Sequence, residues 1–238
     1  MKRILLFIMI IPFLSYSQKT YVPDNIFESY LEASGYGDSI PNNDSVNTNS
    51  LLSITALNIN SLSIVDLTGI EDMFNLSSLN ANSNSISDLS PINTLFSLSS
   101  ISCSFNNLTN VDLSSLENLY DLNLNDNQIS QITLPDSAFI NGNLYLENNI
   151  LQSISFPNFC GIRILNLDNN PLNSLDVSLL YNLYSFSLNN SNISSLDLSN
   201  NFLLWRIYIS QNTSLNSIDL RNKKLASFNS LLFMASSA

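Results

Sequence analysis

The sequence contains no histidine among its 238 residues, and only two cysteines and one tryptophan. Histidine is the most common general base near neutral pH and the most common transition-metal ligand in proteins. Two cysteines are too few to complete a four-ligand thiolate site. These absences remove the usual catalytic and metal-binding residues, so we expect no enzymatic activity, no metal and no cofactor.

Charged residues are also scarce, at 11% of the chain, and asparagine and serine take their place. All 19 acidic residues lie after residue 18, whereas Lys2 and Arg3 lie before it. Without residues 1–17, six basic residues remain against 19 acidic ones, a net charge of −13. A net negative charge of this size repels phosphate groups, which argues against nucleic acid or an anionic membrane as a partner.

The start of the chain has the composition of an export signal. A basic start is followed by an apolar run over residues 4–14 and by small residues at Ser15 and Ser17. This order is typical of a signal peptide, so residues 1–17 are predicted to be cleaved and the protein to be secreted or held at the cell surface. An anchoring helix is the alternative, but the run is too short to span a bilayer comfortably.

Residues 18–53 are predicted to form an N-terminal cap that contains one amphipathic helix. Asn25 and Glu28 have the spacing of a capping box. The apolar stripe of this helix consists of Ile26, Phe27, Tyr30 and Leu31. An acidic loop over residues 38–44 follows, and because it lacks the alternating oxygen ligands of a calcium loop, we favour a solvated loop there.

From residue 54 the pattern L-x-x-L-x-L-x-x-N-x-L recurs at intervals of 21 or 22 residues. With its first apolar residue as position 1, the repeats begin at Ile54, Leu76, Leu98, Leu119, Asn141, Ile162, Leu183 and Leu204. So short an internal period predicts a solenoid in which each unit packs only on its neighbours. About eight repeats are predicted over residues 54–225. Residues 226–238 are expected to be an incomplete or truncated end.

The apolar residues within a repeat predict its backbone. Positions 4 and 6 are apolar with polar neighbours, which indicates a short strand with one buried face. In the second half of the unit, apolar residues lie three apart in the first two repeats, which suits a 3₁₀ turn. They lie two apart in later repeats, which suits extended backbone. We predict an α/β-type repeat solenoid with a parallel sheet on one side and strand-like or 3₁₀ backbone on the other.

Position 9 is a column of asparagines. An asparagine there can satisfy backbone groups where the chain turns away from the strand, and stacking extends this bonding between repeats. The predicted structural ladder comprises Asn84, Asn106, Asn127, Asn149, Asn170 and Asn212. Leu62 replaces asparagine in the first repeat and Ser191 replaces it in the seventh.

The two cysteines are predicted to be unpaired. Cys103 lies at a core strand position of the third repeat, and Cys160 lies late in the fifth. Strands two repeats apart are separated by roughly 9–10 Å. That distance exceeds the Cα reach of a disulfide, so we expect both to be small buried core residues.

These repeats resemble those of secreted leucine-rich repeat proteins of Bacteroidetes and, more distantly, of internalins. The resemblance extends over about residues 20–225 and includes the segments 21–27 and 66–72. It implies a curved, right-handed coil that binds a protein or another surface ligand on its concave strand face. It implies no catalysis.

The outward strand positions of the fourth to eighth repeats are rich in aromatic and charged residues. The candidate ligand-binding residues are Tyr120, Asp121, Tyr145, Glu147, Arg163, Asp168, Tyr184, Trp205, Arg206 and Tyr208. Tyr, Trp and Arg often anchor interfaces because they offer large rigid area with a polar end. We therefore expect a protein ligand. Two other ligands or roles remain open: a surface glycan as the ligand, or a structural or adhesive spacer. The uncapped end could also self-associate, and the tyrosines could be present only because tyrosine suits strands.

Asp121 and Glu147 form the best candidate pair for catalysis. A glycosidase requires two carboxylates across a cleft, one of them in an apolar setting. We expect an open concave face to desolvate neither residue strongly, which argues against an enzyme.

Overall fold

The computed structural model describes residues 18–136, 142–158 and 161–221. The predicted signal peptide, Asn141, Cys160 and the predicted incomplete end at 226–238 lie outside these ranges. Within them, no helix is both long and apolar enough to cross a bilayer.

The N-terminal elements are strand β1 (Lys19–Tyr21), helix α1 (Asn25–Ala33), strand β2 (Ser45–Asn47) and the short helix α2 (Thr48–Leu51). Strands β1 and β2 pair in antiparallel fashion. The prediction that Asn25 caps α1 is wrong by one residue, because Asp24 is the N-cap. One carboxylate oxygen of Asp24 accepts hydrogen bonds from Ile26 N and Phe27 N. Its second oxygen accepts from Val65 N (2.7 Å), which joins the helix to the first repeat.

Glu28 does not close a capping box either. Its buried carboxylate accepts hydrogen bonds from Asn43 N (3.0 Å) and Asp44 N (3.3 Å), and so holds the acidic loop against the helix. In the same loop Asp38 forms an ion pair with Lys19. The hydrogen bond from Lys19 lowers the pKa of Asp38 to about 2.

The remaining strands are each three residues long and lie on two sides of the solenoid. They are β3 (Ala56–Asn58), β4 (Ser78–Asn80), β5 (Ser100–Ser102), β6 (Asn110–Asp112), β7 (Asp121–Asn123), β8 (Gln131–Thr133), β9 (Asn143–Tyr145), β10 (Ile164–Asn166), β11 (Ser185–Ser187), β12 (Ser195–Asp197), β13 (Arg206–Tyr208) and β14 (Ser217–Asp219). One strand from each repeat enters a parallel sheet in the order β3-β4-β5-β7-β9-β10-β11-β13. This sheet is the concave side of the solenoid, and the candidate ligand-binding residues lie in its strands or within two residues of them.

The register of the sheet follows the repeat, because equivalent positions pair across strands. Leu79 at position 4 lies opposite Leu57 on one side and Ile101 on the other. The apolar residues at positions 1, 4 and 6 are buried throughout the described repeats and form one continuous core. Each repeat therefore buries its strand residues against the repeats before and after it.

The opposite side of the solenoid changes along the chain. The first two repeats carry 3₁₀ helices at Ile70–Asp72 and Ser90–Thr94. Later repeats carry extended backbone, and parallel pairs form between β6 and β8 and between β12 and β14. The segment at Ile154–Phe156 is irregular and precedes Pro157, which has no N–H to donate to a ladder. The predicted parallel-sheet solenoid, with its strand-like or 3₁₀ second side, is confirmed.

Candidate functional site

The position-9 asparagines lie at the edge where the chain leaves the concave sheet. Asn127 Nδ2 donates to Cys103 O in the preceding repeat and to Leu124 O in its own, both at 3.0 Å. Asn127 Oδ1 accepts from Leu108 N at 3.0 Å. The side chain thus bonds backbone groups of two adjacent repeats. Equivalent bonds are made by Asn84, Asn106, Asn149 and Asn170.

Ser191 changes this ladder in the seventh repeat. Its Oγ donates to Asn212 Oδ1 (2.7 Å), and Asn212 Nδ2 donates to Leu188 O. Serine is too short to reach back to the sixth repeat as asparagine does. In the sixth repeat, Leu172 N therefore donates its hydrogen bond to the backbone oxygen of Asn170 (2.7 Å) and not to a side-chain oxygen from the seventh repeat.

A second column follows directly before the asparagines, at position 8. Its residues have positive φ, from 54° at Phe105 to 57° at Asn148. Asparagine and aspartate tolerate this left-handed region better than other non-glycine residues. Three hydrogen bonds donated by asparagine side-chain amides link this column from repeat to repeat. Asn148 Nδ2 donates to Asp126 Oδ1, Asn169 Nδ2 to Asn148 Oδ1, and Asn190 Nδ2 to Asn169 Oδ1.

Position 2 places three of the candidate binding residues in one row. Tyr184 N donates to Arg163 O, and Trp205 N donates to Tyr184 O, each at 2.8 Å. These three residues therefore occupy the same edge of adjacent repeats. All three are exposed, with 37% of Tyr184 and 52% of Trp205 accessible.

Strand β13 adds two further candidates beside this row. Arg206 and Tyr208 alternate with buried Ile207, so both project outward. We call Arg163, Tyr184, Trp205, Arg206 and Tyr208 the arginine–aromatic patch. Its residues lie in, or directly before, three adjacent strands, β10, β11 and β13.

The other candidates lie in the fourth to sixth repeats. Tyr120 is exposed at position 2. Asp121 Oδ1 accepts from Asn143 N at 3.0 Å, across Gly142. A Cβ atom on Gly142 would lie 2.7 Å from Asp121 Oδ1 and 2.3 Å from Tyr120 O, so this close approach requires glycine. We call Asp121, Tyr145 and Glu147 the acidic patch.

Glu147 is half-buried, whereas the open face was expected to desolvate neither carboxylate strongly. Burial, with the nearby charges of Asp126 and Asp168, raises the pKa of Glu147 above its usual value. Asn125 Nδ2 donates to Glu147 Oε1 at 3.1 Å. Glu147 Oε2 and Asn125 Oδ1 are both buried, and within the described residues neither receives a hydrogen bond.

Tyr145 of the acidic patch is also affected by its surroundings. Burial, and then the carboxylates of Asp121 and Glu147, raise the pKa of Tyr145. The oxygens of Asp168, in the next repeat, accept hydrogen bonds from Ser187 Oγ (2.7 Å), Asn189 N (2.7 Å) and Asn189 Nδ2 (2.9 Å). Asp168 thus has internal hydrogen-bond partners in the seventh repeat. The described residues contain no group of three carboxylate or thiol side chains arranged to hold a metal ion.

One exposed row was missed in the sequence. It lies two residues before position 1, at the edge of the solenoid, and it comprises Phe74, Phe96, Tyr181 and Phe202. The signal was available, because these aromatics follow the same 21- to 22-residue period as the core leucines. They lie outside the strand positions, so the strand pattern alone does not mark them.

Solved structures with the same architecture include two internalins of Listeria monocytogenes. The internalin InlF is 27% identical over 85% of this chain and 64% of that one, with a TM-score of 0.66. Internalin C2 is 21% identical over 89% of this chain and 95% of that one, with a TM-score of 0.55. YopM, a leucine-rich effector protein of Yersinia pestis, is 21% identical over 69% of this chain and 51% of that one, with a TM-score of 0.54.

This chain spans less than two thirds of the length of InlF and of YopM. No protein-family model matches the sequence, and no curated protein matches it. The likeness therefore lies in the architecture that the repeats build. The chain has a leucine-rich repeat fold of the internalin type.

Proposed function

We propose that this protein is a secreted or cell-surface module that binds a protein ligand on its concave sheet. The arginine–aromatic patch is its anchor. The observation that carries this proposal is the exposure of Tyr184, Trp205 and Tyr208 beside two arginines on three adjacent strands. Large aromatic side chains and arginine dominate the binding energy of protein interfaces. The leucine-rich repeat fold supports the same conclusion, because parallel strands present these side chains on one rigid surface.

The proposed division of the chain follows from this role. Residues 1–17 direct export and are removed, residues 18–53 cap the solenoid, and residues 54–225 form the binding array. The buried residues Phe27 and Leu31 of α1 belong to the same core as the repeats, as a cap requires. Export places the concave face where a partner outside the cell can reach it.

The test is capture of surface proteins by purified residues 18–238 and by a Trp205→Ala/Tyr208→Ala variant. We expect a ligand that the native chain retains and that this variant loses. The matched control is Phe74→Ala/Phe96→Ala, which also removes two exposed aromatics, but from the edge row outside the sheet. Thermal unfolding verifies that both variants remain folded.

Three results would contradict the proposal. Equal capture by both double variants would mean that the patch is not the anchor. Capture of no protein by the native chain, together with binding on a glycan array, would indicate a carbohydrate-recognition module. Absence of any ligand in either assay would favour a structural spacer.

A further inference from the structure

We propose, on the basis of the protein-binding function above, that the segment bound by the arginine–aromatic patch is acidic. In this proposal the partner presents two carboxylates, one to Arg163 and one to Arg206, and places an apolar or aromatic side chain against Tyr184 and Trp205. The selectivity thus resides in two exposed arginines on a protein whose net charge is strongly negative.

The pairing of the basic residues is the first argument. Among the described residues, Lys19 and Arg221 form ion pairs, with Asp38 and Asp219 respectively. Arg163 and Arg206 are exposed and have no carboxylate within salt-bridge distance in the described part of the chain. The two basic residues without such a partner are therefore the two that lie on the concave face.

Asp168, the nearest acidic residue in sequence to Arg163, forms no ion pair with either arginine. Asp168 lies in the same repeat as Arg163, but its oxygens accept hydrogen bonds from Ser187 and Asn189. The two guanidinium groups therefore remain available to a partner. Guanidinium binds carboxylate through two parallel N–H···O bonds, which gives both strength and orientation.

The spacing of the arginines is the second argument. Arg206 lies opposite Ser185 in the sheet, and Ser185 lies opposite Ile164, the residue after Arg163. At about 4.8 Å between strands and 3.3 Å along them, the Cα atoms of Arg163 and Arg206 are about 10 Å apart. In an extended peptide, side chains two and four residues apart lie on one side, about 7 and 13 Å apart. The long arginine side chains cover this range, so two acidic residues at either spacing fit.

The surrounding charge favours a peptide over a sulfated polysaccharide. Asp121 and Glu147 lie on the same sheet, only one to two strands from β10. A polyanion that continued along the face would meet these carboxylates, and two arginines offer little compensation. A segment with two acidic residues and neutral flanks avoids that repulsion.

The experiment uses two rounds of binding. Random twelve-residue peptides displayed on phage are first selected on immobilised residues 18–238. The recovered peptides are then synthesised and titrated, with the fluorescence of Trp205 as the signal, since it is the only tryptophan in the chain and lies within the patch. The test variant is Arg163→Gln/Arg206→Gln, and the control is Arg221→Gln, whose guanidinium is already paired with Asp219.

We expect recovered peptides to carry paired Asp or Glu residues two or four positions apart. We also expect at least a tenfold loss of affinity in the double variant, no more than a twofold change in Arg221→Gln, and weaker binding as salt rises from 50 to 500 mM. Peptides without acidic residues, or peptides that bind the double variant equally, would overturn the inference. Heparin binding that depends on both arginines would overturn it in favour of a polyanionic glycan.

The two proposals fail separately. A surface protein that is lost by Trp205→Ala/Tyr208→Ala but retained by Arg163→Gln/Arg206→Gln would preserve the concave binding function and refute the acidic partner. Loss of binding in neither variant would refute both.

Discussion

At the scale of single residues, the contact between Glu147 and Asn125 pairs a half-buried carboxyl group with an amide of the preceding repeat. One hydrogen bond, from Asn125 Nδ2 to Glu147 Oε1, joins the two side chains, and both Glu147 Oε2 and Asn125 Oδ1 lack a donor among the described residues. A proton on Glu147 supplies one donor and removes the repulsion from Asp126 and Asp168. This agrees with the raised pKa of Glu147.

The first prediction follows from the sign of that shift. Because the folded state holds the Glu147 proton to higher pH than the unfolded state does, the stabilisation is fully present below the usual glutamate pKa. It is lost as pH rises through the raised value. A Glu147→Gln variant carries a permanent donor instead. We expect its free energy of unfolding to exceed that of the native chain by about 1 kcal/mol at pH 7, with a smaller difference at pH 4.

Urea unfolding at both pH values measures this difference. Glu117→Gln is the matched control, because it makes the same substitution at an exposed glutamate. A stabilisation of equal size in both variants would reflect the general relief of negative charge. It would show that the contact with Asn125 has no special role.

A second residue-scale prediction concerns Cys103. This thiol is unpaired and fully buried, and burial raises its pKa to about 12. Thiolate is the reactive form, so we expect no modification of Cys103 by a thiol reagent in the folded protein at pH 8 and complete modification in denaturant. A Cys160→Ser variant makes the measurement specific to Cys103. Rapid labelling without denaturant would mean that the third repeat opens readily.

At the scale of the repeating element, the asparagine ladder determines how tightly neighbouring repeats are joined. Asn127→Ala leaves Leu108 N and Cys103 O without side-chain partners in the interior. We expect a loss of about 3 kcal/mol, since each buried group left unpaired costs about 1–3 kcal/mol. Asn107→Ala is the control, because Asn107 is exposed and makes one long bond of 3.4 Å to Ser85 O. Equal losses in the two variants would contradict a special role for position 9.

The same ladder predicts a stabilising substitution. Ser191→Asn would supply an Oδ1 atom to Leu172 N, as Asn170 does to Leu151 N at 3.1 Å. We expect a gain of about 1 kcal/mol in the free energy of unfolding. A loss of stability would show that the seventh repeat has lost the room for an amide side chain.

Most of this architecture could be predicted from the period of the sequence, because strand register, buried positions and the 3₁₀ helices all repeat with it. The surroundings of a side chain that contacts several repeats could not be predicted. Glu147 occupies an outward position, yet it is half-buried and accepts a hydrogen bond from Asn125 in the preceding repeat. Likewise, Asp24 displaced Asn25 as the helix cap because one of its oxygens also bonds Val65 N, 41 residues away.

At the scale of the whole molecule, stability is a sum of contacts between adjacent repeats. We expect Leu79→Ala, a cavity in the second repeat, to cost about 2–5 kcal/mol locally. Amide hydrogen exchange should therefore accelerate in β3, β4 and β5 and remain unchanged in β10, β11 and β13. Equal acceleration in every strand would instead indicate one cooperative unit.

The left-handed residue at position 8 and the asparagine at position 9 also bear on how such a gene can change. Both recur at the same point of successive turns, so an in-frame duplication or deletion of 22 codons would bring equivalent residues into contact again. Loss of residues 76–97, for example, would place Asn106 where Asn84 stood. Recombination can therefore lengthen or shorten the concave face by one strand, about 4.8 Å, while the arginine–aromatic patch is passed on intact.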